Sequence, residues 1–205
     1  MAAGTSSYGW RFDAGRICLD LVATGVGSSG TCEQLDRPAR LADWLVASGL
    51  IPRGTPLTAV DDDWVARFWE LRAGIDLLVT AELAGRGDDG ALDRINALAA
   101  VPTPGLRAVR GKGGVLVRAL SAGPACDGLL AAVARDAVDL LTDPVAREGL
   151  RRCEGDACRR LYLDTSRGRR RRWCSSEVCG NRERVARHRR RVKAVPQDAS
   201  RKRKL

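Results

Sequence analysis

The sequence predicts an α+β fold: a mainly helical N-terminal domain with one small β-hairpin, followed by a small four-cysteine domain that ends in a basic helix. Three observations predict it. Apolar residues recur at helical spacing in four segments between Pro38 and Leu141. The glycine-containing stretch GKGG separates two short apolar runs between Leu106 and Leu120. Two cysteine pairs of equal internal spacing crowd into residues 153–179.

The elements follow in chain order. ICLDLVAT, Ile17 to Thr24, alternates incompletely and runs into GVGSSG, which suits a short buried strand or the first turns of a helix. Asp20 and Thr24 beside Trp10 and Arg11 read either as the lining of a small pocket or as a core element and its cap. From Pro38, Leu41, Trp44, Leu45 and Ser48 fall at helical spacing, with proline in the first turn and Gly49 as the C-terminal stop. Asp61 to Leu83 opens with three aspartates, suited to the positive end of a helix dipole. It then places Val65, Phe68, Trp69, Arg72, Ile75, Leu78 and Val79 along one stripe and is expected to be the main core helix. A shorter helix is expected from Asp88 to Ala100, stopped by Pro102 and Pro104. LRAVR and VLVRAL then form the hairpin across GKGG. Asp127 to Leu141 returns to helical spacing through Leu129, Leu130, Val133, Val138 and Leu141.

A chain of 205 residues, 44% hydrophobic and 29% charged, suits one domain of common size and a small second one. No apolar run approaches the roughly 20 residues of a membrane span. The N-terminus has neither the basic nor the apolar region of an export signal, so the expected location is the cytoplasm, in association with the nucleoid. The net charge of +10 is unevenly placed. Residues 1–150 hold 15 basic and 19 acidic side chains, a balance of −4; residues 151–205 hold 20 and 6, a balance of +14. A block of this sign is the electrostatic footprint of a nucleic-acid partner, with anionic lipid or an acidic protein as other readings. The expected organisation is therefore a helical α+β sensor or regulatory domain at 1–150, a four-cysteine finger at 151–195 and a basic disordered tail at 196–205.

Cys153 and Cys158 enclose EGDA, fifteen residues follow, and Cys174 and Cys179 enclose SSEV. Each pair can sit on one tight loop, and two loops complete a tetrahedron of thiolates, so the spacing points to one structural zinc rather than to disulfides or an iron–sulfur cluster. Four cysteine ligands leave no open position for a catalytic water. Gly155 and Gly180 suit the sharp turns such loops need, and Asn181 suits the N-cap of a following helix. The remaining thiols, Cys18, Cys32 and Cys126, lie singly and read as small buried hydrophobes.

Cys179, Gly180, Asn181 and Arg182, preceded by LYLDTSRGRRRRWCSSEV and followed by RERVARHRRR, resemble the CGNR zinc finger family. Upstream, LDLVAT followed by LADWLVASGL is similar to the N-terminal domain found with this finger, the putative stress-induced transcription regulator domain. The resemblance spans residues 10–195 and implies a bacterial transcription regulator with DNA as its partner. It departs at Ala23, where the family has asparagine.

The basic side chains of the finger fall into two sets. Arg182, Arg184, Arg187, Arg189, Arg190, Arg191 and Lys193 lie along the expected helix, suited to phosphates and to the edges of guanine. Arg167, Arg169, Arg170, Arg171 and Arg172 lie on the loop between the cysteine pairs, suited to phosphates or a narrow minor groove, or simply to solvent. Asp164 is expected to cap a turn or to hold Arg182 or Arg167; Trp173 to pack over the cysteine loops; and His188, the one histidine, to face solvent or phosphate. An RNA-binding zinc protein is the alternative, disfavoured because Tyr162 and Trp173 are the finger's two candidate stacking platforms. The first 150 residues contain no histidine, no nucleophile motif and no cofactor fingerprint, so an enzyme is not expected. A small-molecule effector and a homodimer are left open.

Overall fold

The computed structural model describes residues 9–25, 33–156 and 158–193. Cys32, most of the GVGSSG stretch and the expected tail at 196–205 lie outside the described residues. The architecture is α+β, with two separate two-stranded antiparallel sheets among helices.

Helix α3, Asp62–Leu83, is the central element. The Asp61 side chain accepts a hydrogen bond from the Trp64 amide at 3.0 Å, and Asp62 and Asp63 follow in the first turn, where the helix dipole favours negative charge. Its buried face runs through Trp64, Val65, Phe68, Leu71, Ile75, Leu78 and Val79. Two members of the expected stripe lie off this face. Trp69 is 39% exposed, with its indole N–H donating to the Leu35 carbonyl at 3.0 Å. Arg72 flanks the core and donates to Thr24 Oγ1 at 3.1 Å and to Glu33 Oε1 at 2.7 Å. Steps of four, three, four and three residues from Trp64 through Phe68, Leu71, Ile75 and Leu78 track the helical period, and they leave positions 69 and 72 at the margin.

The short segment at the N-terminus is a helix, α1, Ile17–Val22. Cys18, Leu19, Asp20 and Leu21 are all buried, so no alternation distinguished helix from strand. Asp136, far along the chain, accepts from the Cys18 amide at 2.9 Å and so serves the start of α1. Thr24 closes its other end, donating from Oγ1 to the Leu21 carbonyl at 2.6 Å. Helix α2, Pro38–Ala47, buries Leu41, Trp44 and Leu45; Gly49 after it takes φ +80°, which a residue with a Cβ rarely adopts. Helix α4, Asp89–Ala99, is capped by Asp88, which accepts from the Ala91 amide at 2.8 Å. Helix α5 spans Cys126–Thr142 and buries Leu129, Leu130, Val133, Ala137 and Leu140, with Val138 and Leu141 packed at the margin.

The hairpin forms where expected: β1, Leu106–Arg110, pairs with β2, Leu116–Leu120, in the register Leu106↔Leu120 to Arg110↔Leu116. Three elements lie beyond those the sequence predicts. Helix α6, Pro144–Gly149, starts from Asp143, whose side chain accepts from the Val145 amide at 2.8 Å. It leads into β3, Leu150–Arg152, which pairs antiparallel with β4, Leu161–Leu163. This small ribbon carries the first cysteine pair in its connection. The chain ends, among the described residues, in helix α7, Asn181–Lys193.

One continuous core joins these parts, since Leu150, Leu161 and Tyr162 of the ribbon belong to the same buried cluster as Leu19, Trp44, Phe68 and Leu129. No helix among the described residues is long and apolar enough to cross a membrane.

Candidate metal centre and nucleic-acid interface

Cys153 follows β3, and its amide donates to the Arg160 carbonyl at 2.9 Å, which extends the ribbon one step beyond its last strand pair. A turn then brings Cys158 back, its amide donating to the Gly155 carbonyl at 2.9 Å. The second pair is built differently. Ser175 Oγ accepts from the Val178 amide at 3.2 Å and its carbonyl accepts from the Gly180 amide at 2.9 Å. The resulting wide π turn over Ser176–Gly180 swings Cys179 beside Cys174.

The four sulfurs lie within 4.8 Å of one another and all four residues are buried. Cys158 Sγ to Cys174 Sγ is 3.9 Å and Cys174 Sγ to Cys179 Sγ is 3.6 Å. Sulfurs at about 2.3 Å from a tetrahedral zinc stand about 3.8 Å apart, so spacing and donor chemistry both fit one structural zinc. The Cys174 amide also donates to Cys153 Sγ at 3.3 Å, as expected for a negatively charged sulfur. Hydrogen bonds from Cys158 and Cys174 hold the Cys153 thiol well below its ordinary range; in exchange Cys174 is pushed up, and burial takes Cys179 to about 11. Four thiolates at this separation repel strongly, and a divalent cation between them removes that cost.

Around this centre the loop from Asp164 to Trp173 is held by specific bonds. Asp164, 2% exposed, accepts from the Ser166 amide at 2.9 Å and the Arg171 amide at 2.8 Å. Burial raises the pKa of its carboxyl, but these bonds outweigh that and hold it below the ordinary value. Asp164 is thus a turn cap, bonded to these two amides rather than paired with Arg182 or Arg167. Tyr162 donates to the Arg171 carbonyl at 2.6 Å, and burial pushes its hydroxyl up to about 12. Trp173 packs against Gly180, where an added Cβ would meet the indole at 3.4 Å. Neither Gly155 nor Gly180 has positive φ, so their use is space rather than left-handed backbone. Asn181 is not the N-cap. It is already helical at φ −69°, ψ −42°, because the π turn feeds directly into α7 and Ser175 caps the combined element.

The basic side chains are divided by the fold. Arg171 is spent internally: half-buried, it donates to the Cys174 carbonyl at 2.6 Å and its guanidinium lies 5.1 Å from the Tyr162 ring centre. Arg169, at φ +45°, pairs with Glu148 at 2.6 Å, and Arg172 pairs with Glu154 at 2.6 Å. Arg184 donates to the Gly180 and Ser176 carbonyls, both at 3.2 Å, and so braces the π turn. Arg190 lies 3.8 Å from Asp156 and from Glu183. Arg167, Arg170, Arg182, Arg187, Arg189 and Arg191 are exposed and make no ion pair among the described residues. Lys193 ends α7; His188 is exposed.

Residues 15–144 match the model of the ABATE family, described as a putative stress-induced transcription regulator. The chain belongs to this family. Residues 150–192 match the CGNR zinc finger, so the four buried cysteines are those of a CGNR finger. No curated protein matches the chain. The two family descriptions are those of a zinc-finger transcription regulator, not of an enzyme.

The contact between the ABATE region and the CGNR finger was not visible in the sequence. Arg160, between the cysteine pairs and 5% exposed, reaches back to Asp13 Oδ1 at 2.8 Å and the Arg11 carbonyl at 3.1 Å, with Asp20 Oδ1 at 3.8 Å. Gly15, at φ +91°, lets the N-terminal segment close on β4: a Cβ there would come 3.0 Å from that of Leu163. The Leu163 amide donates to the Ala14 carbonyl at 2.8 Å. Asp20 and Thr24 are therefore core polar groups with partners inside the protein, and Trp10 packs into the core. Cys18 and Cys126 are buried free thiols, as expected of small hydrophobes.

Proposed function

We propose that this ABATE-family protein is a DNA-binding transcription regulator in three parts. Residues 1–150 sense a ligand or dimerise, residues 151–195 form the finger that holds DNA, and residues 196–205 add non-specific attraction. Cys153, Cys158, Cys174 and Cys179 hold one zinc ion, whose contribution is to tie the two loops together and set the start of α7. The observation that carries the reading is the set of exposed arginines left without acidic partners, gathered on the loop and helix next to the metal centre. Folding leaves their charge uncompensated, and a phosphate backbone supplies the missing counter-charge. The division of roles follows the charge, since the first 150 residues balance at −4 and the remainder at +14.

The test is a mobility-shift titration of genomic DNA fragments with the zinc-loaded full chain, with and without a chelator and across salt. Binding should fall steeply with salt, with a slope for roughly five or more phosphate contacts, and should vanish when the metal is removed. A flat salt dependence, or shifts undiminished in stripped protein, refutes the proposal. Discrete enriched sites in a pulldown of bound genomic DNA separate a regulator from a non-specific packing protein, and enrichment of RNA instead favours the RNA-binding alternative.

A further inference from the structure

Helix α7 has two sides that do different things. One side is packed on the first cysteine loop. There Glu183, with its side chain 16% exposed, accepts from the Asp156 amide at 3.2 Å, Arg190 lies between Asp156 and Glu183, and Ala186 is half-buried. The other side carries Val185, 42% exposed, and Val192, 60% exposed. Seven residues apart, they lie on one line along the helix, and Arg182, His188 and Arg189 stand three or four residues from one or both of them on that same side. These three are exposed and make no ion pair among the described residues.

Among the described residues, these two valines on the most cationic helix leave much of their apolar surface open to solvent. A second copy of α7 is a poor cover for them, because the helix holds six arginines and a lysine against one glutamate and would meet its own charge. A polyanion with apolar groups on its accessible surface suits both features at once, and the thymine C5-methyl in the DNA major groove is such a group. At 1.5 Å per residue the valines are about 10.5 Å apart along the axis, which matches about three base-pair steps of 3.4 Å.

Resting on the DNA-binding reading above, we infer that Val185 and Val192 are specificity residues: they touch thymine methyl groups about three base pairs apart, while Arg182, His188 and Arg189 hold the same face in the major groove. The contact excludes RNA doubly, since uracil lacks the methyl and the A-form major groove is too deep and narrow to read.

The experiment selects bound duplexes from a random library with the zinc-loaded full chain, then replaces each selected thymine with deoxyuridine. The expected result is two thymines about three base pairs apart whose replacement weakens binding about fourfold each, the equivalent of about 0.8 kcal/mol per buried methyl. V185A/V192A should bind thymine and deoxyuridine duplexes alike, with unchanged zinc content and an unchanged salt slope. Wild-type protein that binds both duplexes equally overturns the inference while leaving DNA binding intact. A variant that dissociates from dimer to monomer in sedimentation also overturns it, since the face then belongs to a second copy. Absence of any duplex binding overturns the underlying reading instead.

Discussion

Asp20 on α1 gives a pH-dependent test of how finger and body are joined. Its carboxylate is 7% exposed, accepts from the Ala14 amide at 3.0 Å and lies 3.8 Å from Arg160, whose nearer partner is Asp13. Burial, with smaller contributions from Asp13 and Asp136, outweighs the Ala14 bond and the Arg160 charge and raises its pKa from 3.8 to about 7. The folded chain therefore holds this proton more tightly than the unfolded chain does. The stability that the neutral acid contributes is complete below about pH 4 and is lost as pH rises through about 7. A shift of about three units corresponds to about 4 kcal/mol over the whole window, of which about 2.5 kcal/mol falls between pH 5 and pH 8. Asp20→Asn keeps an acceptor for Ala14 and nearly the same volume but cannot titrate. Its stability relative to wild type, from urea unfolding of zinc-loaded protein, should improve by about 2.5 kcal/mol between pH 5 and pH 8. Protonation of the cysteine ligands affects both proteins alike and cancels in the difference. A difference that stays flat, or that turns against the variant as pH rises, refutes the account of Asp20 as a costly buried acid.

Arg160→Ala removes the buried cation shared by Asp13 and Asp20 and should cost about 3–5 kcal/mol in urea unfolding; because Asp20 can take up a proton, the loss should be smaller at pH 5 than at pH 8. Asp164→Ala strands the Ser166 and Arg171 amides, so it should cost about 1–3 kcal/mol and weaken zinc retention against a chromophoric chelator. Phe68→Ala, at a fully buried position on α3, should cost about 3–5 kcal/mol while the protein still binds one equivalent of zinc, which metal analysis of the purified variant would check.

The metal centre was legible because its signal is local. Each cysteine pair lies within six residues, so a turn of a few residues brings its two sulfurs together, a tight one at Cys153–Cys158 and a wider π turn at Cys174–Cys179. Helices α2, α3, α4 and α5 were legible for a similar reason, since caps such as Asp61 and Asp88 and the apolar period lie within a few turns of chain. Helix α6 carried a readable start in Asp143 and Pro144, but six residues are too few to show a period. Strands β3 and β4 have three residues each, and their pairing depends on a partner across the first cysteine loop. Asn181 misled because a good capping residue is recognised by type, whereas the π turn that pre-empted it is produced by the need to bring Cys179 to Cys174.

Sequence alone determined the donor set, the expected zinc, the helical body and the placement of positive charge in the last 55 residues. It could not distinguish one arginine from another. Tertiary structure buried Arg160 against Asp13 and Asp20, folded Arg171 onto Tyr162 and the Cys174 carbonyl, and left Arg182, Arg187 and Arg189 open to solvent. The physical reason is range: a guanidinium has the same charge and donors at every position, and what it does is set by which acceptors the fold brings within about 3 Å. For Arg160 those acceptors lie some 150 residues earlier in the chain, where no local pattern announces them.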